Sequence, residues 1–175
     1  KYTYRNSEEL INISSKFVMK NKSQIKKELI SNKHIDKPVE FIYYINPKKS
    51  FNKIYKSLLN KGSILVLGRN NFDINKFSDG NIPEFMSVHA SKGLESDNVI
   101  LINMTDDMYG FPNKIVNSKL IEELHPSDKT YIYAEERRLF YVALTRTKNK
   151  IYILVPLFKK SIFIKELRNL TKAIL

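Results

Sequence analysis

The sequence predicts an α/β domain built on a mostly parallel β-sheet. Five short apolar runs, rich in β-branched and aromatic residues, alternate with stretches of helical periodicity, and this is the pattern of strands joined by covering helices. The runs contain few polar residues, as expected for strands buried on both faces of a parallel sheet. With 175 residues and 42% apolar content, the chain is suited to one packed core. We therefore expect residues 1–175 to form one domain.

Each element is predicted from its own local pattern. Residues 7–20 have apolar positions at helical spacing, with a serine that can cap the helix and two acidic residues in the first turn. A second short helix is predicted over 23–30, and residues 104–129 have no regular pattern and resemble a surface loop. The remaining elements are strand 39–45, helix 48–59, strands 63–67, 85–88 and 98–103, helix 135–146, strand 150–155 and helix 161–170.

The composition restricts the class of partner. A formal net charge of +12 attracts polyanions, so nucleic acid is the first candidate and a membrane surface the second. AT-rich coding would also produce many lysines, so charge alone does not identify the partner.

The absence of cysteine excludes disulfides and thiolate metal sites, and no apolar run approaches the roughly 20 residues that span a bilayer. We expect a cytoplasmic protein with no membrane partner. The start at Lys1 indicates a fragment of a longer chain.

Two stretches contain most of the residues suited to chemistry. Residues 87–95 (SVHASKGLE) follow a predicted strand, and their Ser-Lys-Gly turn offers backbone N–H groups and a cation to phosphate or sugar. Residues 134–148 (AEERRLFYVALTRTK) form an apolar helix with Arg146 directly before a strand, where a guanidinium could reach a phosphate on a neighbouring domain. An ordinary strand-to-helix turn and a solvated charged helix face are the alternatives. The phosphate-binding pattern G-x-x-x-x-G-K-[ST] is absent.

These stretches resemble motifs V and VI of superfamily 1 helicases of the UvrD/Rep type. Residues 4–7 (YRNS) resemble motif IV, usually Asn-Tyr-Arg-Ser, and residues 65–71 (LVLGRNN) resemble the following motif, usually a strand ending in Tyr-Arg-x-Asn. The forms GRNNFD and GFP, at 68–73 and 110–112, look closest to the DNA helicase IV subgroup. The resemblance covers residue 4 to about residue 155. It implies a C-terminal RecA-like (2A) domain with three layers. The short interval between Arg69 and His89 implies that no separate accessory (2B) domain is present.

The resemblance also implies roles for individual residues. By analogy, Arg5 and Arg146 would be catalytic arginine fingers on the γ-phosphate, and Gly93 and Glu95 would contact the nucleotide together with Arg146. Lys92 would lie at the interface with the first motor domain. The residues implied to contact single-stranded DNA are Ser87, His89, Arg69 and Asn70.

The implied cofactor is ATP with Mg²⁺. The metal would be held mainly by an N-terminal RecA-like domain of the same polypeptide, and no metal site is expected within this chain. The implied partners are that domain and single-stranded DNA. Arg138 would have a structural role, paired with Glu135 or Glu136.

The implied function is that of the second motor domain of an ATP-dependent DNA helicase or translocase, inactive without its Walker A and B partner. A helicase-like fold that has lost motor activity and serves as a protein-interaction or regulatory module is the alternative. A stand-alone basic nucleic-acid binder is a third reading, and it predicts tight, salt-sensitive binding of single strands. The presence of Arg146, Glu95 and Gly93 favours the motor.

Overall fold

Parallel β-strands form the centre of the fold. The computed structural model describes residues 2–21, 24, 29–80, 82, 84–115 and 133–173. Within these residues one five-stranded sheet has the order β1-β5-β4-β2-β3, and every neighbouring pair is parallel. The predicted α/β class with a parallel sheet is therefore confirmed. The strands are β1 (Val39–Tyr44), β2 (Ile64–Gly68), β3 (Phe85–Ser87), β4 (Ser96–Leu101) and β5 (Thr147–Pro156).

Four α-helices flank the sheet within the described residues, close to the predicted positions. Three of them begin at side-chain caps, in which Ser7, Asn46 and Ser161 accept hydrogen bonds from backbone N–H groups of the first turn. Two predicted segments lie mostly outside the described residues, namely the helix over 23–30 and the later part of the loop over 104–129. The helices are α1 (Glu8–Val18), α2 (Pro47–Leu58), α3 (Ala134–Leu144) and α4 (Ile162–Lys172).

The core consists of two apolar clusters, one on each face of the sheet. On one face, α1, α3 and α4 pack together, with the ring of Phe17 lying 4.9 Å from that of Phe140 and 5.2 Å from that of Phe163. On the other face, Phe51 of α2 packs with Phe77 over the strands. These rings are fully buried, and burial of each stabilises the fold by roughly 1.5–3 kcal/mol. The result is a helix–sheet–helix sandwich of three layers.

The interval between β2 and β3 is compact. Its described residues hold one turn of 3-10 helix, Asp73–Lys76, followed by Phe77, which is buried in the α2-side core. The described part of this interval therefore has room for no further domain, in agreement with the prediction.

The motif residues lie at opposite ends of the parallel strands. We call the side where the strands begin the amino-end edge and the side where they finish the carboxyl-end edge. Parallel sheets usually place their sites at the carboxyl ends of the strands. Glu95 and Arg146 instead directly precede β4 and β5, so they lie at the amino-end edge. Glu95 lies there because the loop after β3 returns along the sheet before β4 begins. The first and last of the six residues of β4 are roughly 17 Å apart, because the steps between successive residues are about 3.3 Å.

Candidate nucleotide and DNA sites

Arg146 is the central residue of the amino-end edge. Its Nε donates to the carbonyl oxygen of Val142 (3.1 Å), and its Nη1 donates to those of Leu94 (3.1 Å) and Ser91 (3.5 Å). Within the described residues it pairs with no carboxylate. Burial lowers the pKa of Arg146, and the nearby charge of Arg5 lowers it further. The guanidinium is thus held rigidly by carbonyl groups, and its charge is not neutralised by an ion pair.

Glu95 joins two further cations beside Arg146. Arg5 Nε lies 2.6 Å from Glu95 Oε2, and Lys148 Nζ lies 3.0 Å from Glu95 Oε1. Hydrogen bonds from Lys148 and Arg5 lower the pKa of Glu95, which is therefore charged at neutral pH. All three side chains are partly exposed. Because exposed ion pairs contribute only about 0–1 kcal/mol, these pairs can exchange readily with an anionic ligand.

Asn6 connects Arg5 to Arg146. Its side-chain Nδ2 donates to the carbonyl oxygens of Thr145 (3.3 Å) and Thr147 (2.8 Å), the residues on either side of Arg146, and Asn6 itself is buried. Asn6 is the residue that stands between Arg and Ser where the usual motif has none. The extra residue therefore fixes the segment before α1 to the end of α3, and it places the two arginines side by side.

Gly93 shapes the loop that faces Arg146. It has a φ of +92°, which L-residues with a side chain rarely adopt, and a Cβ there would meet nothing within 4 Å. The glycine lies between Ser91 and Leu94, whose carbonyl groups accept from Arg146. Lys92, in the same turn, is exposed to solvent. The turn therefore directs two carbonyl groups inward and leaves Lys92 accessible.

At the carboxyl-end edge, Arg69 forms a buried ion pair with Glu136. Arg69 Nη2 lies 2.7 Å from Glu136 Oε1, and Nε lies 2.9 Å from Oε2; the side chains are 10% and 3% exposed. Glu136 Oε2 also accepts from the backbone N–H of Asn113 at 2.8 Å. The pair therefore joins the end of β2, the segment near 113 and the start of α3. Contact of Arg69 with DNA stays a prediction, while this geometry favours a structural role.

Asn70 belongs to a neighbouring buried network. Its backbone N–H donates to Asp73 Oδ2 (2.9 Å), and its Nδ2 donates to the carbonyl oxygen of Tyr109 (2.9 Å). Asn103 Nδ2 donates to Asp73 Oδ1 at 2.8 Å. Burial raises the pKa of Asp73, and these hydrogen bonds oppose the rise. The side-chain amide of Asn70 is thus already bonded to protein groups.

Ser87 and His89 remain more accessible at this edge. Ser87 is the last residue of β3, and His89 is exposed two residues later. Burial of part of the ring lowers the pKa of His89, and the positive charge of Arg69 lowers it further. His89 is therefore mostly neutral at neutral pH, where it can donate or accept a hydrogen bond.

The structure decides between the two partners predicted for Arg138, and it adds contacts that the sequence did not predict. Arg138 pairs with Glu135, one of the two predicted partners, whereas Glu136 pairs with Arg69. The contact of Lys148 with Glu95 was also missed. The first turn of α3 contains two acidic residues, Glu135 and Glu136, and nothing in the local sequence distinguishes the buried one from the exposed one. In the part of the chain that the structure describes, no cluster of His, Cys, Asp and Glu could hold a metal, and no helix is long and apolar enough to cross a membrane.

Comparisons with known proteins identify the family of this chain. Residues 71–156 match the UvrD-like helicase C-terminal domain. DNA helicase IV of Escherichia coli (strain K12) is 30% identical over 177 residues, which covers 96% of this chain and 26% of the relative. The ATP-dependent DNA helicase PcrA of Leuconostoc citreum is 30% identical over 82 residues, or 46% of this chain and 9% of the relative. The chain thus spans about a quarter or less of the length of these relatives.

A solved structure shows the same fold. The C-terminal domain of a possible DNA helicase from Lactobacillus plantarum WCFS1 superposes with a TM-score of 0.58 over 94% of both chains, at 13% identity. Together, the sheet order and the motifs V and VI define a RecA-like helicase C-terminal domain. The chain belongs to the UvrD-like helicase C-terminal domain family. Its match to DNA helicase IV over nearly the whole chain agrees with the subgroup that the motifs indicated.

Proposed function

We propose that this chain is the second motor domain of an ATP-dependent superfamily 1 DNA helicase or translocase. The observation that supports this most directly is Arg146, a half-buried cation bonded only to carbonyl and hydroxyl oxygens within the described residues. The nearest carboxylate, Glu95, acts on Arg146 only at a distance and forms no direct ion pair with it, so the partial burial of this cation is incompletely compensated. The arrangement therefore favours an anionic ligand that completes the site.

The residues of the amino-end edge fit a nucleoside triphosphate. Three cations, Arg5, Arg146 and Lys148, surround the single carboxylate of Glu95, which gives the cluster a net positive charge. Bound ATP with Mg²⁺ would supply the transferable phosphoryl group and the metal charge. Arg146 would stabilise negative charge on the phosphate oxygens. Arg5 would exchange Glu95 for phosphate, and Glu95 would then be free to accept from a ribose hydroxyl beside Gly93.

The two motor halves would share the catalytic groups between them. This chain supplies arginines but contains no phosphate-binding lysine loop, so an N-terminal RecA-like domain would hold most of the phosphate and the Mg²⁺. Lys92, which is exposed on the loop beside the cluster, would contact that domain. Because an arginine finger acts only when the cleft is closed, hydrolysis would depend on closure. The isolated chain should therefore show no ATPase activity.

The carboxyl-end edge would form part of the channel for single-stranded DNA. Ser87 and the neutral His89 are accessible there and would contact the strand directly. Arg69 and Asn70 would support these two residues from the protein side of the channel, since the Arg69 side chain is bonded to Glu136 and the Asn70 side chain to Tyr109. Because this chain would form only part of the channel, we expect it alone to bind single strands weakly. Nanomolar affinity at physiological salt would instead support the stand-alone nucleic-acid binder.

The test is DNA-stimulated ATP hydrolysis by the full-length protein with Arg146→Ala. We expect turnover to fall by about 10³-fold or more, as for loss of an arginine finger, while binding of a fluorescent ATP analogue changes little. Arg138→Ala is the matched control, because Arg138 lies on the same motif but is exposed and paired with Glu135; its turnover should stay near wild type. Equal rates for Arg146→Ala and wild type would refute the motor and favour the interaction module.

A further inference from the structure

The outer edge of β1 is a second accessible surface. Within the described part of the chain, β1 is the last strand of the sheet on the side away from β3, and only β5 pairs with it. In a parallel ladder, alternate residues direct both backbone groups to the same side. The N–H of Leu157 donates to the carbonyl oxygen of Tyr44, so Tyr44 faces β5. The backbone N–H and C=O of Phe41 and Tyr43 therefore point to the free edge.

A mainly apolar groove lies between this edge and α2. It has a volume of about 250 Å³. Ile42 and Ile54, which also pack against the α2-side core, supply its apolar surface. The exposed Lys53 supplies its charge. Because most of its surface is apolar, the groove favours an apolar side chain that enters from the β1 edge. The lining residues are Ile42, Tyr43, Ser50, Lys53, Ile54 and Ser57.

On the opposite face of β1, two cations lie over Tyr43. Lys160 Nζ is 5.4 Å and Arg168 Cζ is 5.7 Å from the centre of its ring, and Tyr43 is 38% exposed. Neither cation forms an ion pair with a carboxylate among the described residues. Glu40, the carboxylate on β1, lies on the other face with Ile42 and pairs with Lys150 of β5. Among the described residues, Lys160 and Arg168 are therefore left without a paired carboxylate.

We propose that the β1 edge binds an extended segment of a partner protein in which apolar and acidic residues alternate. Successive side chains of an added strand point to opposite faces. One set would enter the apolar groove beside α2, and the other would meet Lys160 and Arg168. Main-chain hydrogen bonds to Phe41 and Tyr43 would hold the segment, as in other complexes formed by strand addition. The surface is on the opposite side of the sheet from Ser87, so it is compatible with the motor function.

The test uses fluorescence anisotropy with a labelled peptide of alternating valine and aspartate, and a valine–lysine peptide as its control. We expect the acidic peptide to bind the chain at least about tenfold more tightly than the basic one, since both can pair with the edge but only one complements the cations. Equal affinity, or no binding of the acidic peptide, would overturn the proposal.

Matched variants locate the binding. Tyr43→Ala and Tyr43→Pro both remove the ring, but only proline removes the outward N–H, so proline should weaken binding further. Arg168→Glu should weaken binding about tenfold, whereas Lys165→Glu, the same change at another exposed position of α4, should not. Circular dichroism checks that each variant is folded. If sedimentation instead shows a dimer of the chain that Tyr43→Pro dissociates, the edge pairs with a second copy and the proposal is wrong.

Discussion

The buried Arg69–Glu136 pair allows a quantitative prediction. Glu136→Ala would leave the guanidinium of Arg69, only 10% exposed, without its carboxylate, and it would remove the acceptor of the Asn113 N–H. Removal of one partner from a buried ion pair costs about 3–5 kcal/mol, because the remaining charge is desolvated and uncompensated. For a chain of this size, each kcal/mol lowers Tm by about 2–4 °C, so we expect a fall of about 6–20 °C.

Urea unfolding of the chain, followed by far-UV circular dichroism, measures this loss. Arg69→Met combined with Glu136→Leu leaves no buried charge but still removes the acceptor of the Asn113 N–H, so the double variant should lose no more than about 1–3 kcal/mol and be more stable than Glu136→Ala. The control is Glu135→Ala, which breaks the exposed pair with Arg138 and should cost less than about 1 kcal/mol.

Two results would refute this reasoning. A cost for Glu136→Ala below about 1 kcal/mol would mean that the pair behaves like an exposed one. A double variant as unstable as Glu136→Ala would mean that lost packing, and not the isolated charge on Arg69, causes the destabilisation.

Two further predictions follow from local geometry. Gly110→Ala would place a Cβ about 2.1 Å from the carbonyl oxygen of Thr105, whereas the Cβ of Gly80→Ala would meet nothing within 4 Å. Gly110→Ala should therefore destabilise the fold by about 1–3 kcal/mol, and Gly80→Ala by far less. Thermal unfolding of the two variants measures the difference. A hydrogen bond to Glu9 raises the pKa of His34 above its usual 6.5. Protonated His34 therefore stabilises the fold at low pH. This contribution is lost as the pH rises through the pKa of His34 in the folded protein. Glu9→Gln should lower the pKa of His34, measured by NMR titration; an unchanged value would contradict the assigned cause.

Most of the secondary structure could be predicted from the sequence because its causes are local. The run that became β2 is continuously apolar, and β4 ends in the apolar residues Val99–Leu101, as expected for strands that are buried on both faces of a sheet. Ser7 begins α1 because its side chain accepts from a backbone N–H of the first turn. Motif residues such as Arg146 and Gly93 were found for the same reason, since each motif is a short contiguous stretch.

The sequence by itself therefore determined the fold class, the motif positions and the family. Only the tertiary structure decided which charges meet: Glu136 pairs with Arg69, 67 residues away, although Arg138 is nearer in the chain. The tertiary structure also decided that Asn6 donates hydrogen bonds to the residues on either side of Arg146. It further decided that the two sets of motif residues lie at opposite ends of the parallel strands. The physical reason is that helix and strand formation depend on neighbouring residues. Ion pairing and burial depend on distances that exist only once the sheet order brings remote segments together.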